Sequence, residues 1–269
     1  MAGKLHGATF SFLGNILELE TNSFGLFDHL KKHFAMHVSE KRSGKTEKLT
    51  LIAKPPSTQK LGGLIRRFTS KVISEFYGEF LLLHGSAIAK GGKAKIFLGR
   101  SNSGKTTVSL FAGGQGYEIM TDEWCLVDKK NLKVVPFQRG MIGVSPYSVK
   151  FLRESGLMAD KKYAPLSIIK NRERAIRSGD LSASGIRFSK KSYPIDKIYI
   201  FRSGNAPVVS YIRELFPFHG RQNSGEMAGN MRSFFYLLRR CGVEIIPSLD
   251  LRDSQKRKQI YKMLRSLLK

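Results

Sequence analysis

The sequence predicts an α/β fold built on a mixed sheet, preceded by a small α+β N-terminal domain. Three observations carry this. Residues 97–107, Phe-Leu-Gly-Arg-Ser-Asn-Ser-Gly-Lys-Thr-Thr, hold a complete G-x-x-x-x-G-K-[ST] phosphate-binding loop between an apolar run, Ile96-Phe97-Leu98, and a helix-compatible run, Thr107 to Ala112. A tight hairpin feeds that loop: residues 80–90 read as a strand, Gly91-Gly92 as a turn and Lys93 to Leu98 as the return strand. Ordinary phosphate-loop proteins link the loop strand to a parallel neighbour through a helix, so this hairpin makes the sheet mixed. Ahead of it, residues 1–78 show a hairpin, a helix, a strand and a second helix, the pattern of a small α+β unit or of a layer on the next domain.

In chain order, residues 8–20 alternate as a hairpin turning at Gly14-Asn15. Phe24, Phe27, Leu30 and Phe34 follow at helical spacing. His29, His33 and His37 are four apart and would share one face of that helix, an arrangement open to metal binding or to plain packing. Residues 48–53 read as a strand ended by Pro55-Pro56, and Leu61 to Phe76 as a long amphipathic helix. After the loop helix, Gly113-Gly114-Gln115-Gly116 ends the helix, and Tyr117 to Met120 is a short strand. Leu132 to Phe137 reads as a strand and Ser145 to Leu152 as a short helix. Residues 155–192 are polar and rich in bases, and read as a disordered insertion or a binding loop. Ile195 to Arg202 and Pro207 to Ile212 return to strand character. Gly225 to Arg240 is helical, Val243 to Leu249 a strand, and the last helix starts at Asp253. The boundary falls between a small domain at 1–78, a candidate substrate- or RNA-binding unit, and the phosphate-loop domain at 79–269.

Each loop residue has a physical job. Gly99 and Gly104 allow tight backbone turns, and Arg100, Ser101, Asn102 and Ser103 between them expose N–H groups that surround phosphate oxygens. The following helix aims its positive end at the same anion, with Thr107 in its first turn. Lys105 reaches the β- and γ-phosphates, and Thr106 offers a hydroxyl to Mg²⁺. The implied ligand is a nucleoside triphosphate, ATP, with Mg²⁺. Thr121-Asp122-Glu123 ends the next strand only 17 residues after Lys105, which returns two carboxylates to the phosphates. A carboxylate there can bind the metal, or orient and deprotonate an attacking hydroxyl. Arg139, after the strand at 132–137, can meet phosphate oxygens with its fork.

The bulk properties point to a folded, water-soluble chain, with one conspicuous bias. No run of eighteen apolar residues exists, and the first residues lack an apolar signal segment. Two cysteines, Cys125 and Cys241, form neither a disulfide framework nor a zinc site, which reads as a reducing cytoplasm. The net charge is +25. Residues 81–128, around the loop, carry 5 basic and 4 acidic side chains, whereas residues 129–269 carry 29 and 10. ATP binding does not need that excess; it suits an anionic partner, whether nucleic acid, an anionic membrane surface or an acidic protein.

Three blocks, His84-Gly85-Ser86-Ala87, Gly99 to Thr107 and Thr121-Asp122-Glu123, resemble the HPr kinase and phosphoenolpyruvate carboxykinase superfamily. The resemblance covers about residues 80–128 and implies an HPr-kinase-like core. It also implies a metal set with His84 and Asp122 near the ion, Thr106 on Mg²⁺ and Asp122 as the base. Glu123 stands where the second Asp of the usual pair would be, on a longer arm, so its metal contact is left open. The chain is too short for a carboxykinase with its separate substrate domain. The resemblance extends to archaeal RNA kinases, which phosphorylate a tRNA 2′-hydroxyl, and the charge favours that branch. The expected function is transfer of the ATP γ-phosphate to an RNA hydroxyl, with Asp122, Lys105, His84 and Arg139 as the catalytic set. A protein-serine, peptide or small-molecule kinase is the alternative, and a nucleotide-gated binding module the third.

Overall fold

The structure, a computed structural model, describes residues 5–13, 15–34, 37–38, 46–51, 68, 71–72, 79–157, 168–169, 173–183, 185–202, 207, 212, 214–216 and 224–268. The chain divides into two compact units, Met1–Gly78 with Arg139–Met141, and Glu79–Gln138 with Ile142–Lys269.

In the first unit, β1 (His6–Phe12) and β2 (Asn15–Thr21) form the expected hairpin. Phe12 pairs with Asn15, so the chain reverses one residue earlier than the glycine suggests. β3 (Thr46–Leu51) adds in parallel to β2. Helix α1 (Phe24–His33) starts at Ser23, whose hydroxyl accepts from Leu26 N. Phe10, Phe34 and Phe68 are fully buried and meet one another at 5.2–6.2 Å between ring centres. The long helix expected over 61–76 lies mostly outside the described residues; Phe68, Lys71 and Val72 are helical. The three-histidine face does not form, because α1 ends at His33. His29 and His33 stack at 5.7 Å, while His37 sits beyond the helix with its ring against Phe12 and Nδ1 at 3.1 Å from Ser11 O.

The second unit is α/β, with an eight-stranded mixed sheet. β4 (Phe80–Lys90) and β5 (Lys93–Leu98) form the hairpin, and Gly91 and Gly92 both have positive φ at its turn. Helix α2 (Lys105–Gly114) leads to β6 (Glu118–Thr121), β7 (Trp124–Asp128) and β8 (Lys133–Val135). Then come β9 (Met141–Val144), α3 (Pro146–Glu154), β10 (Ile168–Ile169), β11 (Glu173–Arg177), α4 (Ser178–Ala183) and β12 (Arg187–Phe188). β13 (Tyr193–Arg202), α5 (Ser224–Arg240), β14 (Gly242–Pro247) and α6 (Ser254–Leu267) complete the unit. Short strands and a helix therefore occupy the described parts of 155–192, where the sequence predicts a disordered insertion or a binding loop. Ile212 lies in a helical turn rather than a strand.

The strand order β12-β6-β4-β5-β13-β14 explains where the site falls. β5, β13 and β14 run parallel, as do β6 and β12. β4 is antiparallel to both β5 and β6, so all five others end at one edge of the sheet. Ligands of open α/β sheets bind at that carboxyl edge. Side chains alternate between two cores. Ala94, Ile96, Leu98, Ile198 and Ile200 pack with Phe234 and Leu237 of α5, whereas Phe97, Tyr199 and Phe201 pack with Phe111 of α2, Phe151 of α3 and Leu264 of α6. The first half of β4 continues past this sheet to pair with β7, which pairs with β8.

Candidate active site

Four chain segments arrive at the carboxyl edge, and each arrival has a local cause. β5 ends at Leu98, and the chain turns through Gly99 to Gly104 into α2. A Cβ on Gly99 would lie 2.8 Å from both Phe201 Cβ and Ser103 Oγ. One on Gly104 would lie 2.5 Å from Leu249 Cγ, and Gly104 also has φ +107°. Only glycine meets both demands. Leu249 N donates to Ser103 O at 3.0 Å, so the segment after β14 braces the loop from outside. Asn102 supplies a further positive φ, of 64°. The helices α1, α3 and α6 are capped by Ser23, Ser145 and Asp253, but among the described residues no side chain caps α2. Its first-turn N–H groups face the loop uncapped, the arrangement that receives an anion.

Lys105 opens α2 with its side chain buried and folded back: Nζ donates to the carbonyls of Gly99 and Arg100, each at 2.8 Å. Burial lowers its pKa to about 8, against the opposing pull of Asp122. Thr106 Oγ1 donates to Asp122 Oδ1 at 2.9 Å. Thr107 Oγ1 meets Ser148 Oγ of α3 at 2.8 Å. Arg100 Nε pairs with Glu214 at 2.8 Å on the surface, and Ser101 and Asn102 are exposed. Ser103 Oγ is buried with no hydrogen-bond partner among the described residues. A buried hydroxyl without a partner is costly, and a phosphate-binding loop is where a ligand oxygen removes that cost.

Asp122 reaches Thr106 because the chain reverses in two residues between β6 and β7. Thr121 Oγ1 donates to Trp124 O at 2.5 Å, Glu123 takes φ +78°, and Gly85 N donates to Glu123 O at 3.2 Å. A non-glycine residue at positive φ is a strained position held by its surroundings. Asp122 is buried and Glu123 exposed. His84 lies opposite Trp124 on β4, beside this turn. Burial, with the charge of Lys105, brings the His84 pKa down to about 4, opposed by a hydrogen bond to the backbone of Glu214. His84 is therefore neutral at pH 7.

The structure thus brings Gly99–Thr107, Asp122 and His84 to one place. Arg139 falls in the first unit, where its Nε donates to His33 Nε2 at 2.8 Å. Among the described residues no three His, Cys, Asp or Glu side chains converge as a metal cage. The Thr106 hydroxyl and Asp122 carboxylate nevertheless fit Mg²⁺, which takes one or two protein oxygens and leaves the rest to phosphates and water. Leu249, Ser148 and Glu214 were not legible as site residues, since each reaches the site from more than forty residues away along the chain from the loop or β4 partner it touches. No described helix is long and apolar enough to cross a membrane.

No protein-family model matches the chain. No curated protein matches its sequence. Among solved structures it is similar to the HPr(Ser) kinase/phosphatase from Coxiella burnetii, at 12% identity over 59% of this chain and 92% of that chain, with a TM-score of 0.28.

Proposed function

We propose that this protein is an ATP-dependent phosphotransferase, and that its acceptor is a hydroxyl of RNA, a tRNA ribose 2′-OH foremost. The observation that carries the phosphotransfer reading is the Thr106–Asp122 hydrogen bond beside an uncapped helix start and a buried lysine. The acceptor O–H gives its proton to Asp122, its oxygen bonds to the γ-phosphorus, and the bond from that phosphorus to the β–γ bridging oxygen breaks, releasing ADP. Lys105 Nζ leaves the carbonyls of Gly99 and Arg100 to meet the phosphates. Thr106 and Asp122 would hold Mg²⁺, which would supply positive charge against the transferring group. Positioning and electrostatics supply most of such an acceleration.

The RNA acceptor is supported by charge. The excess of 29 basic over 10 acidic side chains in residues 129–269 goes beyond what a triphosphate needs, and a phosphodiester backbone is a partner that draws on part of it. A protein-serine acceptor is the second reading, favoured by the resemblance of the three motif blocks to HPr kinases. The test offers γ-labelled ATP with total tRNA, total protein and free serine side by side. Label should enter tRNA with the wild-type chain and stay in ATP with Asp122→Asn, which should still bind ATP. Label in protein alone would replace the RNA reading with the second. Transfer at the wild-type rate by Asp122→Asn would remove Asp122 as the base.

A further inference from the structure

Helices α3 and α6 flank a cleft of about 760 Å³. Its apolar floor includes Phe151 and Tyr261, which Phe111 of α2 meets at 5.8 and 5.5 Å between ring centres. Lys258, Lys262 and Arg265 line one wall, and their spacing along α6 places them on one helix face. Neighbouring charges are already matched. Arg257 is buried with its guanidinium on both oxygens of Glu154, at 2.7 and 3.0 Å. Arg252 and Lys256 share Asp250. Lys258 and Lys262 have no hydrogen-bond or ion-pair partner among the described residues, and Arg265 lies over the Tyr261 ring at 5.8 Å. Glu154, the carboxylate in the cleft lining, is the one Arg257 neutralises. Among the described residues the cleft therefore holds three cations that no carboxylate matches.

Both walls begin at the phosphate loop. Ser148, one turn ahead of Phe151 on α3, bonds Thr107. Leu249, five residues ahead of α6, covers Gly104. The seven steps along α6 from Lys258 to Arg265 rise about 10 Å, over which one strand of a duplex carries about three phosphates.

We propose that the α3–α6 cleft is the groove in which the RNA phosphodiester backbone docks on its way to the loop, with Lys258, Lys262 and Arg265 as its phosphate contacts. This rests on the RNA reading above. The test measures binding of total tRNA across a salt series for three proteins: wild type, the triple variant Lys258→Gln, Lys262→Gln, Arg265→Gln, and a charge-matched control, Lys130→Gln, Lys190→Gln, Lys191→Gln, at exposed positions outside the cleft. The cleft variant should lose at least tenfold in affinity, and its log affinity against log salt should flatten by about two to three units of slope. The control should stay close to wild type, and ATP affinity should not change in either. A cleft variant that binds tRNA like wild type, or a control that loses as much, overturns the groove alone. Wild-type protein that does not bind tRNA at low salt overturns the RNA reading and the groove together.

Discussion

His84 is kept uncharged by its surroundings, and this has a thermodynamic consequence. Its folded pKa of about 4 lies below the ordinary value of 6.5. Between those two values the unfolded chain binds the proton and the folded chain does not, so stability rises with pH across that window and falls on acidification. The loss from pH 6.5 to below 4 is on the order of 3 kcal/mol. In metal-free protein, urea unfolding of His84→Gln should show a flatter dependence between pH 4 and 6.5 than wild type; equal slopes would count against a neutral buried His84. Gly104 answers to sterics instead. Gly104→Ala places a Cβ at positive φ and 2.5 Å from Leu249 Cγ. It should cost about 1–3 kcal/mol in denaturant unfolding and remove ATP binding measured by calorimetry. Unchanged ATP affinity would show that the loop has another shape. Cys125, by contrast, is inert: burial pushes its thiol up to about 12.

Between elements, the second unit is tied by a few polar links across apolar contacts. Arg257 joins α6 to Glu154 of α3, and its third nitrogen donates to the carbonyls of Leu251 and Arg252. Arg257→Met keeps the apolar stem and loses every one of these bonds. Its melting temperature should fall on the order of 5 °C, with ATP affinity retained; a melt at the wild-type temperature would mean the apolar contacts alone hold α6. The far end of α6 is bound differently. Lys95 Nζ donates to Leu267 O at 2.8 Å and Tyr117 OH to Leu268 O at 2.5 Å, which satisfies carbonyls that a helix end leaves open. At this scale the sequence was partly legible. The β4–β5 hairpin and α2 follow from Gly91-Gly92 and the loop motif. Strand β7 has no sequence boundary: Trp124 to Asp128 follows Glu123 without a glycine or proline, and a positive φ on glutamate has no sequence signature. The two-residue strands β10 and β12 carry too few residues for any periodicity, and pairing alone defines them.

For the molecule as a whole, charge is the property that reaches furthest. With a net +25, binding of tRNA should fall steeply with salt, roughly a thousandfold between 50 and 200 mM for six or more phosphate contacts. Filter binding across that range checks this, and a flat profile would assign the excess charge another purpose. The loop, the hairpin that enters it, the early Asp122 and the charge imbalance are all readable from residue order, because each depends on residues near in sequence or on a simple sum. The tertiary structure alone adds that β4 pairs with β6 and β7 on its other side, which sets His84 opposite Trp124 beside the Asp122 turn. It likewise decided that Asp122 meets Thr106, that Leu249 closes over Gly104, and that Arg139 sits with His33. Those outcomes depend on strand order and register, which are set by the packing of two cores against opposite faces of one sheet. Local spacing carries no record of that packing, since the partners are far apart along the chain.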